Sequence, residues 1–304
     1  VKRVAALLCV LVTAVLPRLS RADSSTGGAF MLPPYGARAW GMAGAVIARI
    51  DDESAVDWNP AGIARCPRTA GVGYVELVPD AFVTQAQAAY VEPLGRERDR
   101  ETGVIRHAAG AMFTSLSFDV GAGQTYVENH LRLAYAYSPQ PLVSLAIGAQ
   151  GFAARSGVTG FDAWGTSVDL AARLALTRAW SFAVVGRDPF SRYSFDDGRD
   201  SSKEAQYVIG LARSDPRGID LEVDFVYVHE GWLRTLVGAE TRYLFGLVAL
   251  RGGVALRSVG ETRTAYSFGT SVRAAGRLFV HYGATLDEED AFGTVHRFSL
   301  AVRL

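Results

Sequence analysis

Cysteine is almost missing, with two in 304 residues, Cys9 and Cys66. A lone thiol beyond the leader closes no internal disulfide, and without a second thiol or a nearby His, Cys66 is a poor metal ligand. Long apolar runs are missing too. The longest, from Val4 to Leu16, has about 13 residues, short of the ~20 a membrane-crossing helix needs. Charge of one sign is not in surplus either, with 31 Lys+Arg against 31 Asp+Glu. No basic stripe is present, which argues against a nucleic-acid partner. The five histidines (His107, His130, His229, His281, His296) are scattered, with no i,i+4 pair and no carboxylate at ligand spacing. The chain has no G-x-S-x-G, no C-x-x-C and no phosphate-binding loop. A non-enzyme with no metal and no cofactor is expected; Ser, His and Asp meeting across strands is the one enzymatic alternative.

What is present begins with a leader. Lys2 and Arg3 form a positive head, the run to Leu16 an apolar core, and Ser20-Arg21-Ala22 a small-residue cleavage site. That pattern predicts a Sec signal peptide over residues 1–22. Without its four basic residues the remainder is acidic by about four charges. Mean hydropathy is +0.12, high for a chain with no apolar run. The hydrophobicity must be spread by alternation, as in a barrel whose outer face meets lipid.

Period two appears from Thr69 onward. Ile219-Asp220-Leu221-Glu222-Val223-Asp224-Phe225 is the clearest case, with carboxylates on one side and apolar groups on the other. The next strand sets Arg234, Glu240 and Arg242 against Leu233, Val237 and Tyr243, and the one after it sets Arg251 and Arg257 against Val248, Leu250 and Val254. These charges share one face, predicted to be a lumen where cross-strand ion pairs form away from lipid. The solvated face of a soluble sandwich reads identically strand by strand. Strand number and length distinguish the two. About fourteen are predicted, near 70–79, 81–92, 105–118, 125–137, 142–154, 163–176, 179–187, 204–213, 219–228, 232–243, 246–257, 263–274, 277–286 and 292–304. Many approach or exceed the roughly 9–11 residues a tilted strand needs to cross a bilayer.

Link lengths give a second signal. With both termini on the periplasmic side, the inner turns are short and the longer links, 155–162, 188–203, 258–262 and 287–290, fall outside. The charged stretch 93–104 breaks this rule, being long on the inner side. Aromatic residues near strand ends, including Tyr74, Tyr126, Tyr135, Trp164, Trp180 and Tyr207, are candidates for interfacial girdles. Asp51, Asp52, Glu53 and Asp57 lack the spacing of a calcium loop and read as a capping cluster for a short helix.

Between leader and strands lies Gly36-Ala37-Arg38-Ala39-Trp40-Gly41-Met42-Ala43-Gly44-Ala45, followed by Asn59-Pro60-Ala61-Gly62. This resembles the N-terminal hatch signature of FadL-type outer-membrane barrels and their PorV-like relatives, a branch with uncharacterised spirochaetal members. Val237 to Arg242 followed by Leu250 to Val254 is also similar to the PorV-like branch. The resemblance implies an all-β transmembrane barrel in the bacterial outer membrane, with a hatch at 23–68 plugging strands at 69–304. It further implies a channel for passive uptake of hydrophobic compounds such as long-chain fatty acids, placed among outer-membrane lipids by the barrel assembly machinery. The alternative is a docking barrel that binds exported proteins. On this reading Phe30, Met31, Trp40, Met42 and Trp58, with Asn59, Pro60, Ala61 and Gly62, either line a greasy pocket and its gate or pack the plug against the wall. Gly110 is the candidate for a wall kink that opens sideways.

Overall fold

The computed structural model describes residues 34–78, 83–95, 98–99, 103–121, 124–156, 162–215, 218–228, 233–241, 243–259, 261–287 and 293–304. The leader lies outside them. The strands are β1 Thr69–Val78, β2 Val83–Pro93, β3 His107–Gly121, β4 Gln124–Gln140, β5 Val143–Arg155, β6 Ala163–Ala175 and β7 Trp180–Phe195. A two-residue β8, Asp200–Ser201, precedes β9 Gln206–Ser214, β10 Ile219–Val228, β11 Leu233–Thr241, β12 Val248–Val259, β13 Glu261–Ala274, β14 Leu278–Asp287 and β15 Thr294–Arg303. All pairs are antiparallel. β1 pairs with both β2 and β15, and β6 pairs with β7, so fourteen strands close on themselves while β8 is an appendage of β7. Closure pairs each of the fourteen strands on both sides, which is what lets strands sit in lipid.

Alternation decides which side chain faces where. On β10, Leu221 and Phe225 are 48% and 46% exposed, whereas Glu222 and Asp224 are 1% and 0%. The carboxylates therefore face inward and the apolar groups outward. Val72, Leu131, Ile147, Leu211, Phe268 and Phe298 continue the outer apolar surface around the barrel.

Several expectations need correction. The stretch 188–203 is not a link, because β7 continues to Phe195. Pro189, which donates no hydrogen bond, suggests a strand end in the sequence. Here it sits in a bulge, where Val168 and Leu170 of β6 face Phe190 and Gly186. Likewise 258–262 is no long loop, since β12 and β13 pair as far as Val259↔Glu261. Tyr126 is buried on the inward face and belongs to no outer girdle, whereas Tyr207 keeps the outward register of Ile209 and Leu211. The Gly110 kink is not observed. The ladders of β3 run unshifted through Gly110, paired with Val91 and Ala134. A Cβ there would lie 2.5 Å from Val56 Cγ2, so the glycine makes room for the inner segment rather than bending the wall.

Candidate functional site

Residues 34–68 pack against the inward faces of strands on both sides of the barrel. Gly and Ala dominate the segment, so its local order comes from short turns. There is one helical turn at Ala37–Trp40, another at Ala55–Trp58, and a 3-10 turn at Pro60–Arg65. The Asn-Pro-Ala-Gly motif has a mechanical reading. Asn59 caps the 3-10 turn, its Oδ1 accepting from Ala61 N at 2.9 Å, while its Nδ2 donates to Ile47 O at 2.6 Å. Pro60 occupies the first position, where no N–H is needed. A Cβ on Gly62 would lie 2.6 Å from Ile50 O.

The wall and the segment are joined by charge. Asp220 and Glu240 face each other across β10–β11, an arrangement of like charges that is unfavourable alone. Arg49 of the segment bridges them, 2.8 Å from Asp220 and 3.3 Å from Glu240. Arg38 reaches Glu240 at 2.8 Å and holds Asp51 and Asp52 at 2.8 and 2.7 Å. Glu240 also takes Arg251, its cross-strand partner, at 2.6 Å. Asp224 accepts from Val46 N and Ile47 N at 2.9 and 3.2 Å, and Glu222 accepts from Ala48 N. On the far side Arg132 joins Asp57 at 3.1 Å to Asp169 at 2.7 Å.

The four inward carboxylates predicted from alternation, Asp220, Glu222, Asp224 and Glu240, are therefore all engaged by the segment. Of the cross-strand ion pairing expected within the ladder, Glu240–Arg251 forms, whereas Arg234 faces Arg257. Arg242, Phe30 and Met31 lie outside the described residues. The acidic stretch 51–57 is mainly ionic rather than a cap. Asp52 accepts from Ser54 N at 3.0 Å in a local turn, and the helical turn Ala55–Trp58 has no side-chain cap. Sequence reasoning missed Arg38, Arg49 and Arg132 as anchors. For Arg38 and Arg49 the signal was the pair of acids, Asp220 and Glu240, falling opposite one another.

The large apolar groups of the segment pack rather than line the main cavity. Trp40 and Trp58 meet edge to face at 5.7 Å, and Trp58 Nε1 donates to Tyr35 O at 2.7 Å. Arg297 lies 4.0 Å from the Trp40 ring centre and Arg187 lies 5.4 Å from that of Trp58. Met42 rests on two wall glycines that face each other, Gly238 and Gly253. Burial pushes the Cys66 thiol up, so it is unreactive.

The long inner link after β2 has a task. Ile105 N donates to Ala64 O at 2.8 Å, and Arg98 Nη2 donates to Cys66 O at 2.7 Å. The link is thus folded back onto the end of the inner segment.

A cavity of about 460 Å³ opens at the end of the barrel that carries Thr69 and Arg303. Glu53 lines it, with Oε1 accepting from Tyr35 OH at 3.2 Å. Burial, and then the charge of Asp52, push Glu53 from 4.5 up to about 8. The folded protein keeps a proton that the unfolded chain releases above 4.5, so this group weakens the fold as pH rises from about 4.5 to about 8. Glu53→Gln is expected to melt higher relative to the parent at pH 8 than at pH 5, and equal offsets at both pH values would refute it.

At the opposite end the inward face is aromatic. Phe152 and Tyr193 lie 4.2 Å apart and Phe118 and Tyr126 4.8 Å apart between ring centres, packed with Leu116, Ala154 and Ala163.

The strands define a closed fourteen-stranded antiparallel barrel, with residues 34–68 packed against its inward faces. No family model and no curated protein matches the chain. Solved structures share the fold. The Ralstonia pickettii toluene transporter TbuX matches at TM-score 0.62 and 13% identity, over 90% of this chain and 98% of that one. The CymD monoaromatic hydrocarbon channel matches at 0.63 and 13%, over 88% and 96%. A Pseudomonas aeruginosa FadL homologue matches at 0.63 and 12%, over 90% and 99%.

Proposed function

We propose that this barrel sits in the bacterial outer membrane and lets hydrophobic compounds, long-chain fatty acids or smaller hydrocarbons, pass passively, with the segment up to residue 68 as its plug. The observation that carries the reading is the wall's dependence on that segment: Asp220 and Glu240 face one another and are bridged by Arg49. A barrel of this strand number is too wide for its own side chains to close. The outer apolar surface suits lipid, and the aromatic mouth suits an apolar entrant. Toluene and monoaromatic hydrocarbons are named for the neighbours of this fold, in keeping with such a cargo.

An apolar molecule would not cross the charged centre, so the exit is sideways. A break in the wall's ladder lies after the bulge in β7. The β7–β9 ladder ends at Arg187↔Gln206, and β7 next pairs at Tyr193↔Ser201. In between, side chains stand in for rungs. Ser191 Oγ accepts from Lys203 N at 2.8 Å, and Asp188 holds Lys203 at 3.0 Å. Parting side chains costs less than parting a ladder.

The test is uptake of labelled toluene and dodecanoate by cells whose outer membrane carries the protein. Faster uptake than in cells without it is expected. Joining Ser191→Cys to Lys203→Cys by oxidation is expected to abolish the gain, and reduction to restore it. No gain for either compound would overturn the reading and leave docking of exported proteins as the rival.

A further inference from the structure

The cavity at the barrel end that carries Thr69 and Arg303 holds two cations with no counter-ion among the described residues. Arg273 lies over two rings, 4.8 Å from the centre of Tyr243 and 5.4 Å from that of Phe279. Arg303 lies 4.6 Å from the same Phe279 ring. All four residues line the cavity. Among the described residues neither guanidinium has a carboxylate partner or a side-chain hydrogen bond, and the Arg273 Nε is buried and unsatisfied.

The other charges around this space are already committed. Asp51, Asp52 and Glu240 are held by Arg38, and Asp220 by Arg49. Glu53 is the exception, and its environment favours the neutral acid. None of these acids is therefore available to Arg273 or Arg303. Two like charges over one aromatic ring, with no carboxylate among the described residues paired to either, leave a site for an anion to fill. A guanidinium stacked flat on a ring still presents its N–H fork at the edge, and that fork matches a carboxylate in two parallel hydrogen bonds. The volume of about 460 Å³ falls in the range of roughly 300–1,000 Å³ that small-molecule pockets occupy.

We propose that this cavity binds a small organic carboxylate with a flat apolar body, the carboxylate on Arg273 and Arg303 and the body against Tyr243 and Phe279. The rings separate this ligand from an inorganic anion, which has nothing to set against them. The forks separate it from a neutral hydrocarbon. The site does not depend on the uptake reading, since it is measured as binding to detergent-purified protein rather than as flux.

The experiment is isothermal titration of the whole purified protein with benzoate, inorganic phosphate and toluene. Benzoate is expected to bind saturably, at least tenfold more tightly than phosphate. Arg273→Gln is expected to weaken benzoate tenfold or more while leaving the melting temperature and any toluene binding as they were. Arg303→Gln, at an exposed position next to the last residue, gives the same readout should the first variant fold poorly. Undetectable benzoate binding, phosphate binding of equal strength, or benzoate affinity unchanged in both variants would each overturn the proposal.

Discussion

Glu240→Ala is expected to loosen the inner segment by about 3–5 kcal/mol, the range for removing one partner from a buried ionic cluster. Three guanidiniums converge on this one carboxylate: Arg38, Arg49 and Arg251. Removing it leaves one buried and two partly buried positive charges with less compensation than before, and nothing in a methyl group replaces it. Asp51, Asp52 and Asp220 then carry the Arg38 and Arg49 charges alone. Trypsin reads the outcome directly, because Arg38 and Arg49 lie in the segment itself. Cleavage after both is expected in the variant while the barrel stays intact, with parent-like resistance in the wild type. Larger single-channel conductance should accompany it. A cleavage pattern identical to that of the parent would show that the segment is held by packing and not by this cluster.

Gly253→Val attacks the same seat by volume instead of charge. A Cβ at Gly253 would overlap the main chain of Met42 and come within 2.8 Å of Ala43 N. Backbone cannot swing aside as a side-chain end can, so the segment must move or the strand must bend. Overpacking of this kind costs about 1–3 kcal/mol even when only side chains are displaced. The neighbouring residue is the control. Gly252 belongs to the same strand but meets nothing nearer than Ser267 O at 3.9 Å, so Gly252→Val is expected to be nearly silent. Protease resistance and conductance of the two variants should therefore diverge sharply. Similar behaviour in both would mean that the segment does not rest on this wall.

The wall was legible in the sequence because period two is a local signal. Leu221 and Asp224 declare their faces within five residues, and the lipid-compatible strand lengths follow from counting. The inner segment was legible only as a motif. Its Gly and Ala residues carry no periodicity, and its partners are scattered over strands far along the chain. Nothing local says that Gly253 and Gly238 are small because Met42 rests on them, or that Gly110 is small because of Val56. The end of β7 was misread for an opposite reason. Pro189 sends a strong local signal for a break, and the fold absorbs it as a bulge. The cavity residues Tyr243, Arg273 and Arg303 come from a turn and two strand ends, and only closure of the barrel brings them together.

The inner link that grips Cys66 also sets an order of events during assembly. The two halves of the segment find their partners at very different times. Its trailing half is tied to Arg98 across only 32 residues, a hairpin-scale distance available as soon as β2 and its link emerge. Its leading half depends on Glu240, which is 202 residues from Arg38, and on Asp224, 178 from Val46. Loops of that size close late and slowly. By this measure a folding chain ties the Cys66 end of the segment first, while Arg38 and Arg49 still lack the acids of β10 and β11.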